Sequence, residues 1–247
     1  MMTKSLTNFI KIFIYPLIEY LILMLMFFGL MKLGHWQLFR AHQKEAILQQ
    51  YQMMQNKKSQ VWTIKNKAPK SYQAILLKGR LLKTMFYLDN QFNQHQIGFN
   101  VLVPLEMPDG TLIMLDLGWV PAGNDRNNLP MPVIPSQTNW QGRVYYPPQA
   151  PIQLGQFVDH QQGQIYVIES LNFEELEKIL GAHLQNWVLR LSPSSDTKMK
   201  RDWPVVTVMP QRHYAYALQW FVMAAVIGII FLWRVYKNAK KHFKKIH

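Results

Sequence analysis

Two long apolar runs, one near each end of the chain, dominate the hydrophobic pattern. The first, Ile12–Met31, is twenty residues long and is interrupted only by Glu19, whereas the second, Tyr214–Trp233, has twenty residues and no charge. About 20 apolar residues of helix span the hydrocarbon core of a bilayer. Tyrosine and tryptophan at the ends of the second run are typical of membrane interfaces. We therefore predict two transmembrane helices, at 12–33 and 213–234.

The first run is too long for a cleaved signal peptide, whose apolar core has about 7–15 residues before a small-residue cleavage site. The segment LGHWQLFR that follows it offers no such site, so we expect a permanent anchor. A helical stripe through Trp36, Phe39, Gln43 and Ile47 predicts that the helix continues beyond the membrane. Glu19 leaves two interpretations open, a functional acid within the span or a protonated or paired residue that faces the second helix.

Between the two runs, at 34–212, the pattern changes to short β-rich segments. The clearest are IGFNVLVPLEM and TLIMLDLGWVP, which flank a Pro-Asp-Gly turn and predict an antiparallel hairpin. A helix is predicted in LNFEELEKILGAH, with Asn172 as the N-cap and Gly181 as the C-cap. Other strands are predicted in AILLKGRLL, MFYLDN, WQGRVYYPP, QIYVIES, NWVLRLSP and VVTVMP.

Two segments of this middle region read as irregular. NKKSQVWTIKNKAPKS, at 56–71, predicts a basic linker, and the proline-rich 123–136 predicts a surface loop. The predicted fold is therefore a membrane α+β protein. Two antiparallel transmembrane helices flank one extramembrane domain, dominated by antiparallel β-sheet with one or two helices.

The positive charge is concentrated at the ends of the chain. Of the formal net charge of +13, a surplus of only 4 lies between Gly34 and Pro210, and six basic residues follow Trp233. This indicates attraction to lipid headgroups rather than nucleic-acid binding. Basic residues in short tails are usually retained on the cytoplasmic side of a membrane. We therefore expect residues 1–11 and 235–247 in the cytoplasm and the middle domain in the periplasm, at an inner (cytoplasmic) membrane.

The chemistry-bearing residues do not form a familiar catalytic motif. The chain has no cysteine, and HExxH, GxSxG, Walker and GxGxxG patterns are missing from it, so we expect no enzyme activity and no metal site. Asp109, Asp116 and Asp125 are close in sequence without forming a clear carboxylate pair. Asp159 and His160 are expected in a solvated turn.

One arrangement does suggest a cofactor. In an antiparallel pair of spans, His35 and His213 fall at similar depth, with Trp36, Tyr214, Tyr216 and Trp220 nearby. Histidine is a common haem ligand, and Arg40 or Arg212 could pair with propionates. The alternative is an interface belt that binds no cofactor.

Three motifs resemble those of the Surfeit locus protein 1 family. They are LGHWQLFR at 33–40, GFNVLVPLEMPDGTLIMLDLGWVP at 98–121, and HYAYALQWF at 213–221, each in the family's order and within its two-span frame. The chain departs from the family pattern at Asp116-Leu117, where Asn-Arg usually precedes Gly118 and Trp119.

The resemblance implies an assembly factor for a haem-copper cytochrome c oxidase that assists the insertion or retention of haem a in the catalytic subunit. Its expected partners are that subunit, the haem a synthesis machinery and membrane lipid. The alternative is a membrane-tethered docking protein without a cofactor. The residues expected to bind the cofactor are His213, Tyr214, Trp220 and, more weakly, His35. Those expected to bind a partner are Trp36, Arg40, Gly118, Trp119 and Pro121.

Overall fold

A computed structural model describes residues 14–123, 128–148, 156–193 and 199–246. The chain divides into two compact units. One is formed by the chain up to Gln49 together with the chain from Val206 onward, and the other is Gln50–Val205.

Three helices occur in the described part of the chain: α1 (Tyr15–Gln55), α2 (Phe173–Leu180) and α3 (Pro210–Ile246). Both α1 and α3 contain a stretch long and apolar enough to cross a membrane, so two candidate spans flank the sheet domain in the sequence, as the predicted fold class requires. The predicted continuation of the first helix is also confirmed, because α1 runs unbroken to Gln55. Pro210 begins α3, a position at which its missing N–H has no helical partner to lose.

The described part of the second unit contains ten strands. They are β1 (Gln60–Val61), β2 (Ala74–Lys78), β3 (Arg80–Leu81), β4 (Met85–Asn93), β5 (Gln96–Glu106), β6 (Leu112–Pro121), β7 (Asn139–Tyr145), β8 (Val158–Gln162), β9 (Ile165–Ile168) and β10 (Leu184–Leu191). They form one sheet in the order β1-β2-β7-β10-β6-β5-β4-β9-β8, with β3 beside β5. Three pairs are parallel, β1–β2, β6–β10 and β4–β9, and the rest are antiparallel. The predicted α+β class is confirmed.

The predicted β5–β6 hairpin is the centre of this sheet. Its register runs from Gly98 opposite Pro121 to Glu106 opposite Leu112. Period-2 alternation places Val101, Val103 and Leu105 in one buried cluster, which also contains Trp140 and Trp187. The opposite face carries a second cluster, which is covered at one end by α2.

Helix α2 is bounded as its sequence predicts. The Asn172 side chain accepts hydrogen bonds from the backbone N–H groups of Glu174 and Glu175, and Gly181 adopts the left-handed conformation with φ 65°. These caps satisfy donors and acceptors that the helix itself leaves free. The buried Leu176 then attaches the helix to the sheet.

Three local predictions are wrong. The supposed linker contains β1, and Trp62 enters the core at 5% exposure, with its ring 5.2 Å from that of Trp187. The VVTVMP segment is not a strand, since it leads directly into α3 without a partner strand in the described residues. Asp159 and His160 lie on the edge strand β8, and the turn falls at Gly163 instead. The structure of each of these three segments depends on whether another strand pairs with it, and the local hydrophobic pattern does not contain that information.

Candidate functional site

Helices α1 and α3 pack through small residues at heptad spacing. Ala41, Ala217 and Ala224 are at most 1% exposed, and Gly34 is also buried. A Cβ added to Gly34 would lie 2.5 Å from Cε1 of Phe221, so the aromatic ring occupies the space that a side chain would need. Small residues let helix backbones approach closely in a membrane. The packed face of α1 is therefore a different face from the stripe that contains Trp36.

His213 lies on the same face of α3 as the buried Ala217 and makes a polar contact with α1. Its Nδ1 is 2.8 Å from Oε1 of Gln37. An amide oxygen only accepts, so in the neutral imidazole this contact pairs with the tautomer that carries its proton on Nδ1 and has its lone pair on Nε2. Nε2 is buried and has no hydrogen-bond partner among the described residues. A covered acceptor without a partner costs about 1–3 kcal/mol.

The other predicted cofactor residues lie at different levels of the pair. The His35 ring is 5.4 Å from the Phe221 ring, and the Tyr214 ring is 6.0 Å from that of His42. Phe221 is eight residues along α3 from His213, which is about 12 Å of helix. The structure therefore brings His35 to Phe221 and shows no contact between His35 and His213 among the described residues. Trp220 is half-buried on α3.

Two of the predicted partner residues follow on α1. Trp36 is 54% exposed. Nη1 of Arg40 donates to Oε1 of Gln43 at 3.0 Å, one helical turn further on. Such a surface suits either lipid or a membrane partner.

The opposite end of the helix pair is held by an ion pair. Nη2 of Arg234 lies 3.0 Å from Oε1 of Glu19, and Nδ2 of Asn238 donates to the Tyr20 hydroxyl at 2.7 Å. Glu19 thus faces the second helix, as one of its two interpretations expected. Sequence reasoning missed its partner, because Arg234 reads as the first residue of the basic tail.

In the sheet domain, Gly118 and Trp119 are internal. Gly118 has φ 137°, and an added Cβ would lie 2.7 Å from Cβ of Met199. Trp119 is 4% exposed and exchanges backbone hydrogen bonds with Lys200 at 2.7 and 2.9 Å. These two residues therefore fasten the 199–200 segment to β6, and of the three predicted partner residues here only Pro121 is exposed.

A second polar cluster surrounds Asp116, which sequence reasoning did not single out as a site. Asp116 is 3% exposed, accepts from Nδ2 of Asn100 at 3.0 Å and lies 3.9 Å from Nε of Arg190. The Arg190 guanidinium lies 3.4 Å from the centre of the Tyr145 ring. Burial raises the pKa of Asp116 to about 6, although Arg190, Asn100 and the Gly118 N–H oppose this. A cavity of about 210 Å³ borders the cluster.

Two long apolar helices, one before and one after a mixed-sheet domain in the sequence, define a membrane protein of the α+β class. The chain belongs to the SURF1 family, whose model matches residues 24–225. This family is known for the assembly of cytochrome c oxidase, which is an assembly role rather than a catalytic one. A comparison with curated proteins found no match.

Proposed function

We propose that the protein binds haem a in the membrane and assists its insertion or retention in the catalytic subunit of cytochrome c oxidase, with His213 as the iron ligand. One observation carries this proposal. His213 has a buried, unpartnered Nε2, while its Nδ1 is held by Gln37 at 2.8 Å. A ligating histidine usually donates its other ring N–H to a fixed acceptor, which is the arrangement found here.

Aromatic and basic residues near His213 support the proposal. Tyr214 adjoins His213, Trp220 lies two turns further along α3, and Arg212 directly precedes His213. A guanidinium at that level can pair with propionates, as can Arg40 on α1. Haem a itself supplies the iron that the imidazole ligates. Nε2 is covered in this structure, so neighbouring side chains must move before a ligand reaches it, which suits transient binding.

The proposed orientation rests on the charges at the two tails. Basic residues in short tails are retained on the cytoplasmic side, so we place both termini in the cytoplasm and the sheet domain in the periplasm. The protein would then be a multi-pass protein of the inner membrane. An alkaline phosphatase moiety inserted after Gly163, in the exposed β8–β9 turn, should be active. An inactive fusion that is produced in full length would reverse the orientation.

The haem proposal is tested by purifying the full chain from cells that make haem a and recording its visible spectrum. Wild type and the control His160→Ala, altered on the edge strand β8, should carry haem. His213→Ala should lose it and lower the yield of assembled oxidase. A wild-type protein without haem would favour the docking function instead, and a spectrum unchanged in His213→Ala would reject this residue as the ligand.

Contact with the catalytic subunit is the second element of the proposal. Trp36 and Arg40 on α1 and Pro121 at the end of β6 are the accessible members of the predicted partner set. A photo-crosslinking residue placed at 36 should capture an oxidase subunit. The same residue at the lipid-exposed Leu25 provides the control, because it should capture none.

A further inference from the structure

We propose that Gln37 is the positioning residue of this site: its side-chain carbonyl fixes His213 in the Nδ1–H tautomer and holds the ring so that Nε2 is the only nitrogen available to iron. The inference rests on the proposed function, because it concerns how the same site is prepared. Gln37 itself does not touch the ligand.

The contact between these residues is directional. Oε1 of Gln37 lies 2.8 Å from Nδ1, and the partners are 176 positions apart in the sequence, on different helices. Neutral imidazole exists as two tautomers, and the hydrogen bond made by one nitrogen decides which nitrogen remains free. A carbonyl oxygen at Nδ1 therefore assigns the lone pair to Nε2.

The surroundings of Gln37 explain why its position is fixed. It lies three residues after the buried Gly34 and four before the fully buried Ala41, on the same heptad face of α1. Close packing at both neighbours leaves the side chain little freedom.

The first test needs no haem. The full chain is labelled with ¹⁵N-histidine in detergent micelles, in mildly alkaline buffer, and the His213 signals are assigned by their loss in His213→Ala. Wild type should show Nδ1 protonated and Nε2 unprotonated. Gln37→Leu should give a mixture of tautomers, whereas Gln49→Leu, an exposed glutamine of the same helix, should match wild type. A single Nδ1–H tautomer retained in Gln37→Leu would overturn the inference.

The second test uses haem titration of the purified proteins. Loss of an outer hydrogen bond to a ligating residue typically lowers metal affinity about 10–100-fold. We expect this loss in Gln37→Leu. Gln37→Glu should retain binding and lower the haem midpoint potential, because a carboxylate draws the Nδ1 proton more strongly and makes the ligand more basic. Equal affinities in wild type and Gln37→Leu would also overturn the inference.

The two failures can be told apart. If wild type binds no haem, the proposed function is lost and the site that Gln37 would prepare is lost with it. If wild type binds haem and His213→Ala does not, while both Gln37 variants keep the wild-type tautomer, affinity and potential, the proposed function survives and only the role of Gln37 is rejected.

Discussion

The buried carboxylate of Asp116 should make the sheet domain less stable at neutral pH than it is in mild acid. Folding raises the pKa of this group from 3.8 to about 6, mainly by burial. The folded state therefore holds the Asp116 proton more tightly than the unfolded state does. The contribution of this proton to the free energy of unfolding is fully present at pH values below the ordinary pKa of 3.8, and it is lost as the pH rises through about 6.

The size of the effect follows from the two pKa values. The difference between 3.8 and about 6 corresponds to about 3 kcal/mol in the free energy of unfolding. About 2 kcal/mol of this should be lost between about pH 4.5 and about pH 7.5. Asp116→Asn removes the titration, at a cost of about 1–2 kcal/mol if one amide hydrogen stays unpaired. It also introduces the asparagine that the family usually carries at this position.

Urea unfolding of the full chain in mild detergent measures the free energy of unfolding of wild type and Asp116→Asn at each pH. The fluorescence of the buried Trp140 and Trp187 reports on the sheet. The Asn variant should be the more stable protein at neutral pH by about 1–2 kcal/mol, and the advantage should disappear in mild acid.

Asp109→Asn is the matched control, because the Thr111 backbone N–H lowers the pKa of that exposed turn carboxyl. Its ionised form stabilises the fold, so this variant should lose stability at neutral pH and approach wild type as the pH falls. A pH-independent difference between Asp116→Asn and wild type, or a loss of stability at neutral pH, would refute the reasoning. Pairing with Arg190 would then outweigh the cost of burial.

Three further experiments test the packing of the helix pair, its ion pair and the backbone at Gly118. Gly34→Ala should lower the thermal midpoint in detergent and cost about 1–3 kcal/mol, since its methyl group meets an aromatic ring of α3. Gly29→Ala, with open space around its Cβ, should not. In a double-mutant cycle, Glu19→Gln and Arg234→Gln should show a non-additive loss of stability in detergent, and additive losses would mean that the ion pair contributes nothing. Gly118→Ala should cost more than about 2 kcal/mol in urea unfolding, because it combines a disfavoured φ with a steric clash; the same change at the turn glycine between β5 and β6 isolates the φ contribution.

Much of the architecture could be predicted because it depends on local pattern. The two spans follow from length and missing charge, the β5–β6 hairpin from alternation around Pro-Asp-Gly, and helix α2 from its caps at Asn172 and Gly181. Each of these signals lies within a window of some twenty residues. Segments whose structure depends on a distant partner were misread, as Trp62 illustrates: its burial depends on Trp187, far along the chain.

The candidate site likewise contains residues that could be predicted from the sequence and residues that could not. His213 could be found from the sequence because it stands in a motif at the entry to the second span. Gln37 could not, although it stands in another motif, because helix orientation alone decides that its carbonyl meets the imidazole. The exposed stripe through Trp36 was the more obvious helical face, since apolar residues mark the lipid side of a membrane helix as well as the packed side. Burial of small residues such as Gly34 and Ala41 separates the two sides, and only the folded helix pair reveals it.

Two of the polar contacts between α1 and α3 differ in what they leave unsatisfied. Glu19 and Arg234 neutralise each other at 3.0 Å, so this contact accounts for itself as a fastening of the two helices. The contact between Gln37 and His213 satisfies one ring nitrogen and leaves the other buried without a partner. A structural contact that leaves such an atom unsatisfied gives up about 1–3 kcal/mol that an apolar pair would not lose. Under the proposed function, a ligand on Nε2 would recover this cost.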